Sequence, residues 1–329
     1  MNIIDISKLC GVSTATVSRV INKDPRVSKE TRQKVLKVID ENDYIPNKSG
    51  RYLRTSRSNK ILVMIPTFLN QFYSVIVEGI EYQADKKGYQ VVVVMTMLQK
   101  RLEEKYIDML KSKQVDGCIN FFSTFSSDEI SSLANRYPYV QGCEPTIGAK
   151  VSSVVIDNRD AVFKAASSFI QKGHKRIAYI SGNYYKFSEQ SREAGYKQAL
   201  ENEGIIFDPA LLAKTEYRFK DGYNICEAMM QLPQAPTVFM TASDPLAIGV
   251  TNFLIEKGYK VGKEIMVIGF DNSDISKFFI PKLSTISQPR FELGTTAFDL
   301  LNEKIENINS PVKKTILPFK IIHRESTIG

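Results

Sequence analysis

The stretch from Gly11 to Asn22, GVSTATVSRVIN, constrains this chain more than any other. Gly11 suits the left-handed residue that ends a helix, and Ser13 is a side chain that caps the start of the next. In that second helix Val17, Val20 and Ile21 stand at i, i+3 and i+4 and form one apolar stripe. Thr14, Ala15, Ser18, Arg19 and Asn22 are left facing outward. Ahead of the turn, Ile3, Ile4, Ile6 and Leu9 supply the apolar side of a short first helix. Short polar residues and one arginine on the outer face suit a helix-turn-helix whose second helix enters the DNA major groove. A helical hairpin inside a larger bundle shares the same apolar spacing.

Charge separates the two. Residues 1–60 hold 13 Lys and Arg against 6 Asp and Glu, a net +7, whereas the whole chain carries +8. The basic character is therefore a local footprint, as phosphate neutralisation requires. A solvated basic tail would lack the apolar periodicity. From Ser28 a third helix runs through TRQKVLKVIDEN, with Val35, Val38 and Ile39 as its stripe. Pro46 then breaks the pattern, and Lys48 to Asn59 is basic and polar, with Tyr52 and Leu53 as its apolar members. It reads either as a flexible tether or as a segment, Asn47 to Arg54, that becomes helical against DNA with Leu53 as a minor-groove wedge.

At 329 residues the chain can bury a small head and one or two α/β units. No apolar run approaches the roughly 18 residues of a membrane span, and no apolar leader follows Met1, so a cytoplasmic location is expected. Cys10, Cys118, Cys143 and Cys226 are too widely spaced for a metal or redox pair and are expected as reduced core thiols. Beyond residue 60, short apolar runs alternate with helical patterns: 61–66, 91–96, 118–122, 154–157, 176–181, 237–241 and 265–270. They read as strands of parallel sheets buried on both faces. Lys87-Gly88-Tyr89, Lys172-Gly173-His174 and Lys257-Gly258-Tyr259 each end a helix before a strand. So many βαβ units exceed one open sheet. The expectation is an α/β core of two doubly wound subdomains, with a cleft at the carboxyl ends of the strands.

Catalytic signatures are missing: no nucleophile elbow, no phosphate-binding glycine loop, no zinc-protease helix. His174 follows a helix-ending glycine and His323 lies in a basic C-terminal strand-like run, neither with ligands at metal spacing. No catalytic residue, metal or cofactor is expected. Asp244 and Asp271 follow strands and are placed at the rim of the cleft, where carboxylates can accept from hydroxyl groups while aromatic faces cover a ring.

Taken in order, IIDISKLCGVSTATVSRVIN, VSKETRQKVLKVIDENDYIPN, KGHKRIAYISG, SREAGY, TASDPLAIGV and IGFDNSDISKFFIPKLSTISQP resemble the LacI/GalR family of bacterial transcriptional regulators, over essentially the whole chain. The resemblance implies a head (1–46), a hinge helix and linker (47–59), and a periplasmic-binding-protein-like core (60–329). The core would divide into an N-subdomain (60–158 and 289–317) and a C-subdomain (159–288 and 318–329). It implies a homodimer on a pseudo-palindromic double-stranded operator, controlled by a small effector. On its pattern Thr14, Ala15 and Arg19 match base-reading positions, and Ser13, Thr16, Ser18, Asn22, Ser28 and Asn47 match backbone-contacting ones. Leu53 matches the intercalating hinge leucine, and Gly50 stands where alanine is usual. Effector contacts fall on Phe72, Tyr73, Phe121, Asp157, Arg192, Tyr217, Ser243 and Asp271.

The resulting expectation is a repressor of a carbohydrate-utilisation operon, relieved by a sugar or sugar phosphate. The runner-up is co-repression by a purine or a corepressor protein. A solute-binding protein would have no use for the basic head, and an α/β enzyme would need a nucleophile with its base. The last run, ILPFKIIHRES, is followed by no heptad tail, which favours a dimer over a tetramer.

Overall fold

The computed structural model describes residues 1–44, 57–68, 70–183 and 186–328, and among the described residues of the N-terminal unit, Met1–Ser58, there are three short helices. Helix α1 (Ile3–Cys10) is capped by Asn2 in a capping box with Asp5 and ends at Gly11, whose φ is 61°. Helices α2 (Thr14–Ile21) and α3 (Lys29–Glu41) are capped by Ser13 and Ser28, whose hydroxyls accept from Thr16 N and Thr31 N. Their core is Ile6, Cys10, Val17, Val20, Val35 and Tyr44, with Ile21, Val38 and Ile39 packed against it. One expectation fails. Ile4 and Leu9 are 52% and 55% exposed, because the buried stripe of α1 runs Ile3, Ile6, Ser7, Cys10 at i, i+3, i+4 and i+7. The expected hinge contacts Asn47 and Leu53, and Gly50 between them, lie outside the described residues.

The second unit, Asn59–Gly329, alternates strand and helix. Its first half runs β1 (Lys60–Ile65), α4 (Phe72–Lys86), β2 (Gln90–Met95), α5 (Lys100–Lys111), β3 (Gly117–Asn120), α6 (Ser127–Arg136), β4 (Tyr139–Gly142) and β5 (Ser152–Ile156). Then come α7 (Asn158–Gln171), β6 (Ile177–Gly182), α8 (Phe187–Asn202), β7 (Leu212–Thr215), α9 (Phe219–Met230), β8 (Val238–Thr241) and α10 (Asp244–Glu256). The remainder is β9 (Met266–Phe270), α11 (Asp274–Phe278), β10 (Ser284–Ser287), α12 (Arg290–Glu306), β11 (Lys314–Leu317), β12 (Lys320–Ile322) and α13 (Glu325–Ile328).

Two six-stranded sheets result, in the orders β11-β5-β4-β3-β1-β2 and β12-β10-β9-β8-β6-β7. Every neighbouring pair is parallel except β10 with β12, so the second sheet departs from a purely parallel one. The chain passes from the first sheet to the second after Ile156, returns between Ser287 and Arg290, and crosses again between Leu317 and Lys320. Strand order reverses between β1 and β3 in one sheet and between β6 and β8 in the other. The crevices outside the carboxyl ends of those strands are where such folds hold ligands.

Strands β4, β7 and β10 escaped the reading of apolar runs because four residues carrying Gln, Lys, Thr or Ser leave no such run. The C-terminal strand-like run is two strands in different sheets, broken around Pro318, and His323 follows the second rather than lying in it. Strand β2 is half-exposed because it is a sheet edge, against the expectation of two buried faces. Gly88, Gly173 and Gly258 take φ of 74°, 92° and 83°, each ending a helix. Helices α4 and α12 meet glycine to glycine: a Cβ on Gly79 would stand 2.2 Å from the Phe291 carbonyl oxygen, and one on Gly294 2.0 Å from that of Ile76. All four cysteines are free, three buried and Cys143 partly so. Among the described residues no helix is long and apolar enough to cross a membrane, and no group of His, Cys, Asp and Glu could hold a metal.

Candidate functional site

On the head, the buried stripe of α2 turns Thr14, Ala15, Arg19 and Asn22 to solvent, with Thr16 and Ser18 half-exposed beside them. Ser13 Oγ accepts from Thr16 N at 3.1 Å and pairs with Thr16 Oγ1 at 2.9 Å, so the two hydroxyls hold the first turn. Asn22 Nδ2 donates to the Ser18 carbonyl at 2.8 Å. Ser28 does for α3 what Ser13 does for α2, accepting from Thr31 N at 3.2 Å. Asp24, the nearby acid, is committed to Arg26 at 2.7 and 3.0 Å. That pairing holds its carboxyl well below the usual range and leaves Arg19 without an ion pair among the described residues. The outcome is an eight-residue helix with an unengaged guanidinium and small neighbours, able to offer a bidentate fork to a flat acceptor edge.

In the core, the residues that follow the switch-point strands converge. Phe72 and Tyr73 start α4 and meet edge to face at 5.2 Å, and Tyr73 meets Phe121 at 6.1 Å. Phe121 is fully buried, its ring filling the space where Gly142 has no side chain. The Tyr73 hydroxyl feels Cys143, Glu144, Asp271 and Arg192, and burial first, then the nearby acids, push its pKa well up. From the other subdomain, Arg192 on α8 is 6% exposed. It donates through Nε to Asn158 Oδ1 at 2.8 Å and through Nη1 to the Ala242 carbonyl at 3.0 Å, with its guanidinium 3.7 Å from the centre of the Phe270 ring. Asp271 follows β9 with φ of 98° and accepts from Gln288 Nε2 at 2.7 Å. Burial raises its carboxyl while Arg192 lowers it. Tyr217 donates its hydroxyl to Glu189, which also accepts from Ser181 Oγ at 2.5 Å and Gly182 N at 2.8 Å.

Three expected residues do other work. Ser243 is buried and caps α10, its hydroxyl accepting from Leu246 N at 3.4 Å. Asp157 is exposed, caps α7 through Asp160 N at 2.9 Å, and lines a hollow with Asp160, Lys164 and Phe319. Its neighbour Asn158, unmarked in the sequence, is the one that meets Arg192. Asp244, read as a rim carboxylate, is fully buried: Ser273 N and Oγ donate to Oδ2 at 2.6 and 2.7 Å, and Thr285 Oγ1 to Oδ1 at 2.6 Å. It braces the turn that carries Asp271.

Sequence reasoning also missed Glu144 and Glu189. Glu144, in the loop after β4, accepts from Ser188 N at 3.1 Å and from Ser188 Oγ, so it joins the first subdomain to the start of α8. Burial pushes its carboxyl up to about 7. A second bridge runs beside it, Lys186 Nζ donating to the Ser123 carbonyl at 2.8 Å with the ammonium 4.8 Å from the Phe122 ring centre. The glutamate in SREAGY's run-up, Glu189, sits one helical turn before Arg192 and could have been found from that spacing alone. The Glu144 loop matched no pattern.

Residues 2–47 match the model described as "Bacterial regulatory proteins, lacI family", and residues 166–327 match "Periplasmic binding protein-like domain". The HTH-type transcriptional repressor CytR of Escherichia coli (strain K12) is 35% identical over 324 residues, covering 98% of this chain and 95% of that protein. The lac repressor dimer bound to operator and the anti-inducer ONPF superposes with a TM-score of 0.88 at 26% identity, covering 100% of this chain and 99% of that one. The transcriptional regulator CelR in complex with cellobiose gives 0.75 at 26% identity, with 99% of each chain covered.

Proposed function

The chain belongs to the lacI family of bacterial regulatory proteins, and on that premise we propose that it represses a carbohydrate-utilisation operon until a small carbohydrate occupies its cleft. It is a DNA-binding transcriptional regulator and not an enzyme. The observation that carries the reading is the outer face of α2, Thr14, Ala15 and an Arg19 without an ion pair among the described residues, in a segment of net +7. Arg19 forks to a guanine edge, Ala15 touches a thymine methyl and Thr14 reads a neighbouring base. Ser13, Thr16, Ser18, Asn22, Ser28 and Asn47 position the head on phosphates. Two copies in a homodimer read a pseudo-palindrome, with Leu53 of each, in a hinge spanning 47–59, prying open the central step. Such a protein works in the cytoplasm, where the DNA is.

In the core, Phe72, Tyr73, Phe121 and Tyr217 supply ring faces, and Arg192 and Asp271 supply polar contacts for a polyol. The CelR–cellobiose complex supports a carbohydrate. Effector and operator then bias the same equilibrium, so each changes the other's affinity by the same factor. The test selects a palindrome from random DNA with the full chain and titrates it by gel shift with and without sugars. Release from the selected palindrome by a sugar is expected. Tighter binding with sugar would reverse the sign of control, and no sequence preference at all would remove the regulator reading of Arg19.

A further inference from the structure

The turn after β9 is held from both subdomains. Asp271 and Asn272 take left-handed backbone, with φ of 98° and 52°, which residues other than glycine keep only where their surroundings hold them to it. Every polar group of Asn272 is engaged. Its N–H donates to Thr285 Oγ1 at 3.1 Å and its Nδ2 to Ser287 Oγ at 3.2 Å, its Oδ1 accepts from Arg324 Nη2 at 2.7 Å, and its carbonyl accepts from Arg290 Nη2 at 3.0 Å. Thr285, Ser287 and Arg324 belong to the second subdomain. Arg324 is itself fixed there, donating through Nη1 to the Leu283 carbonyl at 2.6 Å and to Ser276 Oγ at 3.2 Å.

Arg290 stands on the other side of the crossing. It is the first residue of α12, whose Leu293, Ala297, Phe298 and Leu301 pack in the core of the first sheet. Beside it, the Phe291 carbonyl oxygen lies so close to Gly79 of α4 that no Cβ would fit, and the Phe291 ring meets that of Tyr82 at 5.5 Å. The root of the Arg290 side chain is therefore fixed in the first subdomain, while its guanidinium holds a carbonyl of the second. Its own helix does not ask for a cation there, because the first turn of a helix favours negative charge. What the guanidinium meets is the Asn272 carbonyl, in the field of Asp271 and Asp274.

We propose that Arg290 is a positioning residue that couples the effector site to the first subdomain, by tying the Asp271–Asn272 turn to the start of α12. The bond spans the crossing between β10 and α12, so it is made in one relative orientation of the subdomains and lost in the other. Only a contact that differs between two states can bias their equilibrium. An effector that engages Asp271 then acts on the first subdomain through Asn272 and Arg290. The inference rests on the regulator reading above and goes beyond it; it does not depend on the effector being a carbohydrate.

The full chain and its selected palindrome decide it with no sugar present, so a failure of the carbohydrate reading leaves the test intact. Arg290→Leu should change operator affinity in a gel shift by about fivefold or more, and Arg290→Lys, which keeps a cationic donor, should return it to within about twofold of wild type. Hydrogen exchange at the Asn272 and Ser273 amides, which donate to Thr285 and Asp244, should quicken in Arg290→Leu as the turn loses its tie. Thermal melting checks that the variant folds, and Arg290→Gln takes its place if it does not. Faster exchange with operator affinity unchanged would make the bond a local brace and overturn the coupling. Unchanged exchange would overturn it too, because Arg290 would then not be what holds the turn. Selection of no palindrome overturns the regulator reading of Arg19, and this inference with it.

Discussion

Asp244→Asn tests the claim that Asp244 is a buried brace. Its three donors, Ser273 N, Ser273 Oγ and Thr285 Oγ1, stand at 2.6 to 2.7 Å, but burial, and after it Asp271, push the carboxyl from an ordinary 3.8 up to about 7. The folded carboxyl therefore holds its proton to higher pH than the unfolded one. Its contribution is most favourable below about pH 4, is lost as pH rises toward 7, and then levels off. A shift of about three units corresponds to about 4 kcal/mol, of which about 3 kcal/mol falls between pH 5 and pH 8. An amide cannot ionise, but its NH2 meets the Ser273 N–H, which costs about 1–3 kcal/mol at any pH. Glu144 and Asp271 bend the wild-type curve the same way, and half-buried His174 and exposed His323, whose pKa values are lowered, bend it the other way below pH 6.5. Comparing variant with wild type cancels Glu144 and the two histidines, while Asp271, coupled to Asp244, adds to the difference in the same direction. Urea unfolding followed by circular dichroism should show the stability of Asp244→Asn relative to wild type rising by about 3 kcal/mol from pH 5 to pH 8. Equal destabilisation at both pH values would refute the buried, high-pKa brace.

Further outcomes are expected on both units. Arg19→Ala should cost about 1–3 kcal/mol of discrimination against substituted base pairs in a gel-shift titration, with little change in binding to random DNA; uniform weakening would make it a phosphate contact. Ser13→Ala should lower the stability of the head by about 1 kcal/mol, read by hydrogen exchange of the Thr16 amide, because it removes the cap of α2. Gly249→Ala would put a Cβ 1.9 Å from the Phe219 carbonyl oxygen, so the gap between α9 and α10 must open. The expected cost is about 1–3 kcal/mol, whereas Gly88→Ala, which meets open space at φ of 74°, should cost about 1 kcal/mol in the same melting experiment. Leu53→Ala should weaken specific operator binding and leave the melting of the core unchanged; an unaltered operator affinity would remove the wedge from the account.

The sequence by itself determined what depends on local spacing. Helix caps at Ser13 and Ser28, the left-handed terminators at Gly11, Gly88, Gly173 and Gly258, and the alternation of apolar runs with helices are all written within a few residues of one another. So is the outward face of α2, because a 3.6-residue period and two buried valines leave Arg19 nowhere else to point. The same rule, applied one residue out of phase, misplaced Ile4 and Leu9 in α1. What only the tertiary structure decided is which side chains share the cleft. Asn158 rather than Asp157 meets Arg192, Asp244 is turned away into a brace, and Glu144 closes onto Ser188 across 44 positions of sequence. Those meetings follow from strand order and from the three crossings between sheets, which bring distant loops to one place. No local period encodes them, because burial and charge in the cleft are set by neighbours that are remote in the chain.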